Sequence, residues 1–284
     1  MRLTTKIILG IILSILIVSL LFIIGFSFSE RGNYDNPYSH EISIPQDNPV
    51  GINVESYRVI VLEEDKAGIV LEEKVNGIMH IFLSYSKNNS LTLNSITSGE
   101  ENKLFIPEAL YDLISAKTDN DTLTIQIKTY ELRKKYSKEG GKEYMSFSGI
   151  NFCLYTSNVD IINHLDNFST QVINIETDSM KIVSNGDVLI ESCKVIGIDP
   201  DMYKNYSKLT VKNSVVQTIY IDLDYIRNLD IEGCDIEVEN ITGSGKHNIK
   251  QHRNETGKIN WYPKNKDAVL SITLPGDTMQ MVLQ

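Results

Sequence analysis

Several things this chain lacks narrow its chemistry. Its three cysteines, Cys153, Cys193 and Cys234, are odd in number, which excludes a complete disulfide framework in an oxidising compartment. None stands in a lipidation-type box near the N-terminus, so an acyl anchor has no attachment point. No glycine-rich phosphate loop and no nucleophile elbow occur, and no paired Asp-Asp with a Gly-His-Gly marks a polysaccharide hydrolase. The five histidines are scattered; only His247 and His252 are near neighbours, and no paired cysteines precede them. No metal or cofactor site is therefore expected. Basic residues are also short. Arg2 and Lys6 are the only charged side chains among the first 28 positions, and the remainder carries 25 basic against 37 acidic residues, a net of −12. That balance repels polyanions and argues against nucleic acid as a partner.

What is present begins with a membrane signal. Ile7 to Phe26 is twenty residues without a charge. At about 1.5 Å per residue, the run spans roughly 30 Å of hydrocarbon. Arg2 and Lys6 precede it and Glu30, Arg31 and Asp35 follow, so the positive-inside rule predicts a cytoplasmic tail over 1–6, a transmembrane helix over 7–28 and an exported remainder. A competing reading is a cleaved secretory signal, with Ser27 and Ser29 as the small residues before a cut at Glu30; the run is longer than the usual h-region of about 7 to 15 residues. Both readings export the domain. The expected location is the bacterial inner membrane, single-pass, with the C-terminal domain periplasmic or extracellular.

Residues 29–53 are polar, hold Pro37, Pro45 and Pro49, and read as a tether. From Val54 to about 130 the pattern is β-rich with one short helix. Ile69 to Val75 and Ile78 to Tyr85 flank Asn76-Gly77, a hairpin signal. Pro107 to Ser115 predicts the helix, and Leu123, Ile125 and Ile127 alternate with polar residues after a turn at Asp119 to Asp121. Residues 131–147, rich in charge and containing Gly140-Gly141, read as an exposed loop carrying the basic cluster Arg133, Lys134 and Lys135.

Residues 148–245 hold an internal repeat. Ile190 to Cys193, Val211 to Ser214 and Ile231 to Cys234 align at steps of 21 and 20, and Ile150 to Cys153 is aligned two periods earlier. Val188, Leu209 and Leu229 precede the later blocks by two; Val195, Val216 and Ile236 follow their first residues by five. Such a unit suits a right-handed parallel β-solenoid, in which each coil buries its inward face only against its neighbours. The cysteines are then corner or core residues, not reactive thiols. Residues 246–284, with the only tryptophan, Trp261, are expected to cap the last coil. The fold class is thus mainly β: a solenoid-like domain with a hairpin and short-helix N-terminal part.

Tyr57 to Glu73, Ala109 to Lys128 and the coils Asn185 to Ile198 and Leu209 to Ile241 together resemble the bacterial putative adhesin family built on a head GIN domain, a group of exported β-solenoid proteins. The family usually begins with a secretion signal, and its coils are richer in Gly and Asp than these. An uncleaved helix without a lipidated cysteine implies a domain held at the inner membrane.

The first expectation for function is a non-enzymatic envelope protein that binds a protein or glycan partner along its surface. An alternative is a polysaccharide lyase or hydrolase on the same scaffold, which would need two carboxylates facing one groove. Asp199, Asp201, Asp222 and Asp224 are the only candidates: Asp222 and Asp224 share a face at i, i+2, and Asp201 lies one period before Asp222. A solvated face on an already acidic protein is the more economical account of them. A third reading, an assembly subunit, expects an uncapped edge near Ser148 or Gly245.

Overall fold

Alternation of inward apolar and outward polar residues along each strand builds two facing, mostly parallel sheets, one of eight strands and one of nine, around a common core. The computed structural model describes residues 39–46, 48–65, 82–86, 88–96, 100–136, 144–202, 207–250, 256–273 and 280–283. The expected tail, the transmembrane helix of residues 7–28 and the Asn76-Gly77 hairpin lie outside these residues. No helix among the described residues is long and apolar enough to cross a membrane.

From Phe168 onward the chain winds as a regular solenoid. Phe168–Ile173, Val188–Glu191, Ser207–Lys212 and Ile226–Glu232 stack in the narrower sheet; Glu176–Ser184, Lys194–Met202, Val215–Asp222, Asp235–Gly243 and Thr256–Pro263 alternate with them in the broader one. All these pairings are parallel. The columns expected from the repeat are present: Val188, Leu209 and Leu229 pair in register, as do Ile190, Val211 and Ile231, and Val195, Val216 and Ile236. Eight of these nine are buried and Leu229 is partly so. Each fully buried aliphatic side chain contributes about 1.5–3 kcal/mol, so the columns hold the coils together.

The corners explain the small residues. Asn174, Ser192, Asn213 and Gly233 all adopt left-handed backbone, with φ of 57°, 55°, 48° and 66°. Each is followed by a buried residue, in turn Ile175, Cys193, Ser214 and Cys234. The Cys193 thiol donates to the Glu191 carbonyl at 3.3 Å, and the Ser214 hydroxyl donates to the Lys212 carbonyl at 2.7 Å while accepting the Cys193 N–H at 3.1 Å. At three of the four corners, Cys193, Ser214 and Cys234, a small side chain bonds the turn behind it, while Ile175 fills the fourth as a purely apolar residue. None of the three cysteines is in a disulfide, and burial pushes the Cys193 thiol above its ordinary pKa.

The earlier chain departs from a simple winding. Val59–Glu64 lies between Thr122–Ile127 and Asp160–Asn163, and Asn89–Ser95 lies between Asn151–Thr156 and Phe168–Ile173. The coil made by residues 59–95 is therefore inserted between two later coils. This corrects the alignment of Ile150–Cys153. The Ile190 column continues through Val172 and Leu93 to Leu154, so Cys153 pairs with Thr92 on the outward side and is only half-buried. It also means that Val59–Glu64, Asn89–Ser95, Lys103–Ile106, Ile114–Asp119 and Thr122–Ile127 belong to the same two sheets as the later coils. A third, small sheet of Ser39–Ser43, Tyr144–Ser148 and Phe82–Tyr85 adds another side to these first coils.

Other segments also differ from expectation. The tether includes Ser39–Ser43 and Val50–Asn53, the latter pairing antiparallel with Lys103–Ile106. The charged loop begins as the helix Thr129–Tyr136, anchored by the fully buried Leu132 and ending in Arg133, Lys134 and Lys135, whose charges complement a helix C-terminus. Residues 137–143 lie outside the described set. Glu108–Leu113 is the expected short helix, in 3₁₀ form, and the Asp119–Asp121 turn joins Ile114–Asp119 to Thr122–Ile127 with Asn120 and Asp121 at positive φ. The repeat runs past Gly245, because Thr256–Pro263 adds another parallel strand beyond Asp235–Gly243. Ser148 and Gly245 accordingly mark no open edge. The narrower coils finish in a small sheet of Lys246–Lys250, Val269–Thr273 and Gln280–Leu283.

Candidate functional site

The broader sheet opens at one place. Between Lys194–Met202 and Val215–Asp222 the pairing runs from Lys194–Val215 to Ile198–Ile219 and goes no further, although Val215–Asp222 stays paired with its other neighbour to Asp222–Thr242. Pro200 sits in the stretch that separates, and proline supplies no N–H to a ladder. The result is a groove of about 500 Å³ lined by Lys181, Asp199, Pro200, Asp201, Tyr220, Ile221, Asp222, Asn240, Thr242 and Tyr262. Three of the four acidic candidates line it. Asp199 and Asp201 project from one wall; Asp222 ends the other.

Asp222 and Asp224 do converge, but on a cation. The Lys264 ammonium donates to Asp222 Oδ2 at 2.6 Å and to Asp224 Oδ2 at 2.9 Å, and lies 5.4 Å from the Tyr225 ring centre. Asp224 also accepts the Ser244 N–H at 2.8 Å and its hydroxyl at 2.9 Å, with His247 Nε2 at 3.3 Å from the same oxygen. Burial alone would raise the Asp224 pKa, yet the Lys264 and Ser244 donors outweigh it and bring the group down to about 2. Such a carboxyl is ionised throughout the physiological range and is no proton donor. Lys264 responds in the opposite sense: burial would lower its pKa, and the two carboxylates raise it.

The Ser244, His247 and Asp224 side chains are not ordered as a hydrolytic triad, because serine and histidine both address the aspartate. Histidine is wedged there: a Cβ at Gly243 would lie 2.6 Å from His247 Nε2 and 3.2 Å from the Trp261 ring. Among the described residues no group of three His, Cys, Asp or Glu side chains could hold a metal ion, and His252 lies outside them. In the helix, Lys135 donates to the Ala109 carbonyl at 2.7 Å, so part of the basic cluster is used in packing.

A second, wider depression of about 1000 Å³ crosses the first halves of the same strands. Its floor includes the half-exposed Ile196 and Val215, and its rim carries Glu176, Asp178, Asp235 and Glu237. Lys194 pairs with Glu176 at 2.6 Å in open solvent, an arrangement of little energetic consequence. Beneath the sheet, Glu239 occupies an inward column with Ile198, Ile219 and Ile259, fully buried, and accepts a hydrogen bond from the Thr256 hydroxyl.

No protein-family model matches the sequence, and no curated protein matches it. Solved structures do. The chain is similar to bacterial structures described as putative adhesins. One, from Parabacteroides distasonis, is 11% identical with a TM-score of 0.48, covering 82% of this chain and 100% of that one. Another, from Bacteroides fragilis, has the same identity and TM-score and covers 82% and 96%. A putative cell adhesion protein from Clostridium sporogenes is 9% identical at a TM-score of 0.21, covering 80% and 100%.

Sequence reasoning found the acidic residues and missed their surroundings. Tyr220 and Tyr262 are 52% and 56% exposed and stand on strands separated by one other. Extending the twenty-residue step from Asp222 through Thr242 reaches Tyr262, so the register that located the coils could have located this residue. Lys264 had no such signal, since it lies beyond the paired part of its strand.

Proposed function

We propose that this chain is a membrane-anchored, extracytoplasmic protein of the bacterial cell envelope, a right-handed β-solenoid that binds a protein or glycan partner without performing chemistry on it. The observation that carries the reading is the clamp on Asp222 and Asp224: one ammonium bonds both carboxylates, and Asp224, held near 2, does not serve as the general acid of glycoside hydrolysis. The parallel coils meanwhile present an extended outer face with two depressions and exposed tyrosines, which suits recognition. The apolar run at residues 7–26, with its basic flank, supports the anchor and the orientation.

The test is made on intact envelopes. Crosslinking is expected to recover a partner at the broader sheet, and N-terminal sequencing of the mature chain is expected to read from the initiating region. A mature chain beginning at Glu30 overturns the anchor; turnover of a polysaccharide by the purified chain overturns the non-enzymatic reading.

A further inference from the structure

We infer that the groove between Lys194–Met202 and Val215–Asp222 binds a short stretch of a neutral or amino-sugar glycan chain. The inference rests on the partner-binding reading above and names the ligand class for this face.

Size favours an oligosaccharide over a folded protein. The groove encloses about 500 Å³, within the roughly 300–1,000 Å³ of small-ligand sites, whereas a stable protein interface needs about 800 Å² from each partner around an apolar centre. Here the lining is mixed. Tyr220 and Tyr262 are half-exposed aromatic rings at the groove, where an apolar ring face remains in water. The negative face of an aromatic ring favours the weakly positive C–H edge of a pyranose, and the phenol oxygen adds a hydrogen bond. Their strands are separated by Asp235–Gly243 alone, and Tyr220 is level with Asn260, two residues before Tyr262, so the two residues are about 12 Å apart on the diagonal of one face. That spacing suits alternate rings, two sugars apart along one extended chain.

On the strand between the tyrosines stand Asn240 and Thr242, and on the strand beyond Tyr220 stand Asp199 and Asp201, groups that match vicinal hydroxyls. Asp199 and Asp201 accept, Asn240 donates and accepts, and Thr242 offers a hydroxyl whose hydrogen already reaches the Tyr262 carbonyl at 2.9 Å. The Asn240 carbonyl oxygen is oriented by an Asn260 amide at 2.9 Å, which leaves its own amide hydrogens to face a ligand. Charge then selects within the class. Lys264 neutralises Asp222, and the remaining lining charges are Asp199 and Asp201 against Lys181. An excess of carboxylate repels uronate or sulfated chains and attracts a free amino sugar.

The experiment uses the full-length chain in detergent on a glycan array that spans neutral, amino-sugar and anionic oligosaccharides, followed by titration with the strongest neutral and amine-bearing hits. Binding is expected for those two classes and not for the anionic set. Tyr220→Ala and Tyr262→Ala should each weaken it about two- to tenfold, with Tyr220→Phe losing less than the alanine variant, since one aromatic contact is worth about 0.5–1.5 kcal/mol. The double substitution Asp199→Asn, Asp201→Asn should abolish the preference for the amine. Both tyrosines are exposed, so unchanged thermal midpoints exclude misfolding as the cause.

A silent array, a preference for anionic chains, or full affinity in the alanine variants overturns the proposal. Failure of the wider reading looks different. If the array is silent yet the tyrosine variants lose crosslinked envelope partners, a protein occupies this face and only the glycan assignment falls. If both assays are silent, both readings fall.

Discussion

Lys264 does the work of two partners, and its removal should be visible as a pH effect. The Asp224 carboxyl ionises at about 2 in the folded chain against a reference of 3.8. A depressed carboxyl stabilises the fold above its unfolded pKa, and that contribution is lost as the pH falls from about 4 toward 2. Lys264→Met leaves two neighbouring carboxylates without their cation. Because the ammonium is about one-third exposed, screening limits the cost to about 1 kcal/mol near neutral pH. Thermal denaturation followed by circular dichroism should show the variant below the parent at pH 7, with the gap closing at about pH 2. A gap that persists in acid would show that Lys264 acts through packing alone.

Strand by strand, the legible part of the fold is the part where inward residues repeat at the step of one coil. Val188, Ile190 and Val195 could be matched with their successors because each column is aliphatic and each corner needs a small residue. Residues 150–153 could not, since a repeat in sequence does not reveal that another coil has been inserted between two windings. The helix at Thr129–Tyr136 was hidden for a different reason: its apolar anchor is the single buried Leu132 among charges. In the groove, Asp222 and Asp224 were legible as an i, i+2 pair, whereas Lys264 meets them only through tertiary folding. Close packing between coils gives a sharp contrast in glycines. Gly186 is buried, and a Cβ there would collide with the backbone carbonyl of Phe168; at Gly197 the nearest atom would be 3.9 Å away. Gly186→Ala should therefore cost about 1–3 kcal/mol in urea unfolding through forced backbone shifts, and Gly197→Ala should change stability little. Equal effects at the two sites would contradict this packing.

The whole molecule is ordered differently in space and in sequence. Val59–Glu64 and Asn89–Ser95 are flanked on both sides by later strands, while Thr256–Pro263 and Ile114–Asp119 are the outermost strands of the broader sheet. Native-state hydrogen exchange should follow that spatial order, because edges open before centres. The amides of Val59–Glu64 should exchange as slowly as those of Glu176–Ser184, and those of Thr256–Pro263 should exchange first. Fast exchange at Val59–Glu64 would remove the inserted coil.

That interleaving has a consequence for biogenesis. A chain made from its N-terminus produces residues 59–95 well before the strands that cover them, Thr122–Ile127 and Asn151–Thr156 on one side and Asp160–Asn163 and Phe168–Ile173 on the other. A simple solenoid can be laid down turn upon turn as it emerges. Here the earliest turn is not enclosed on both sides until about eighty further residues have been delivered. Closing such distant contacts slows folding, and the chain spends that interval as an open sheet edge, the state in which a chaperone has most to hold.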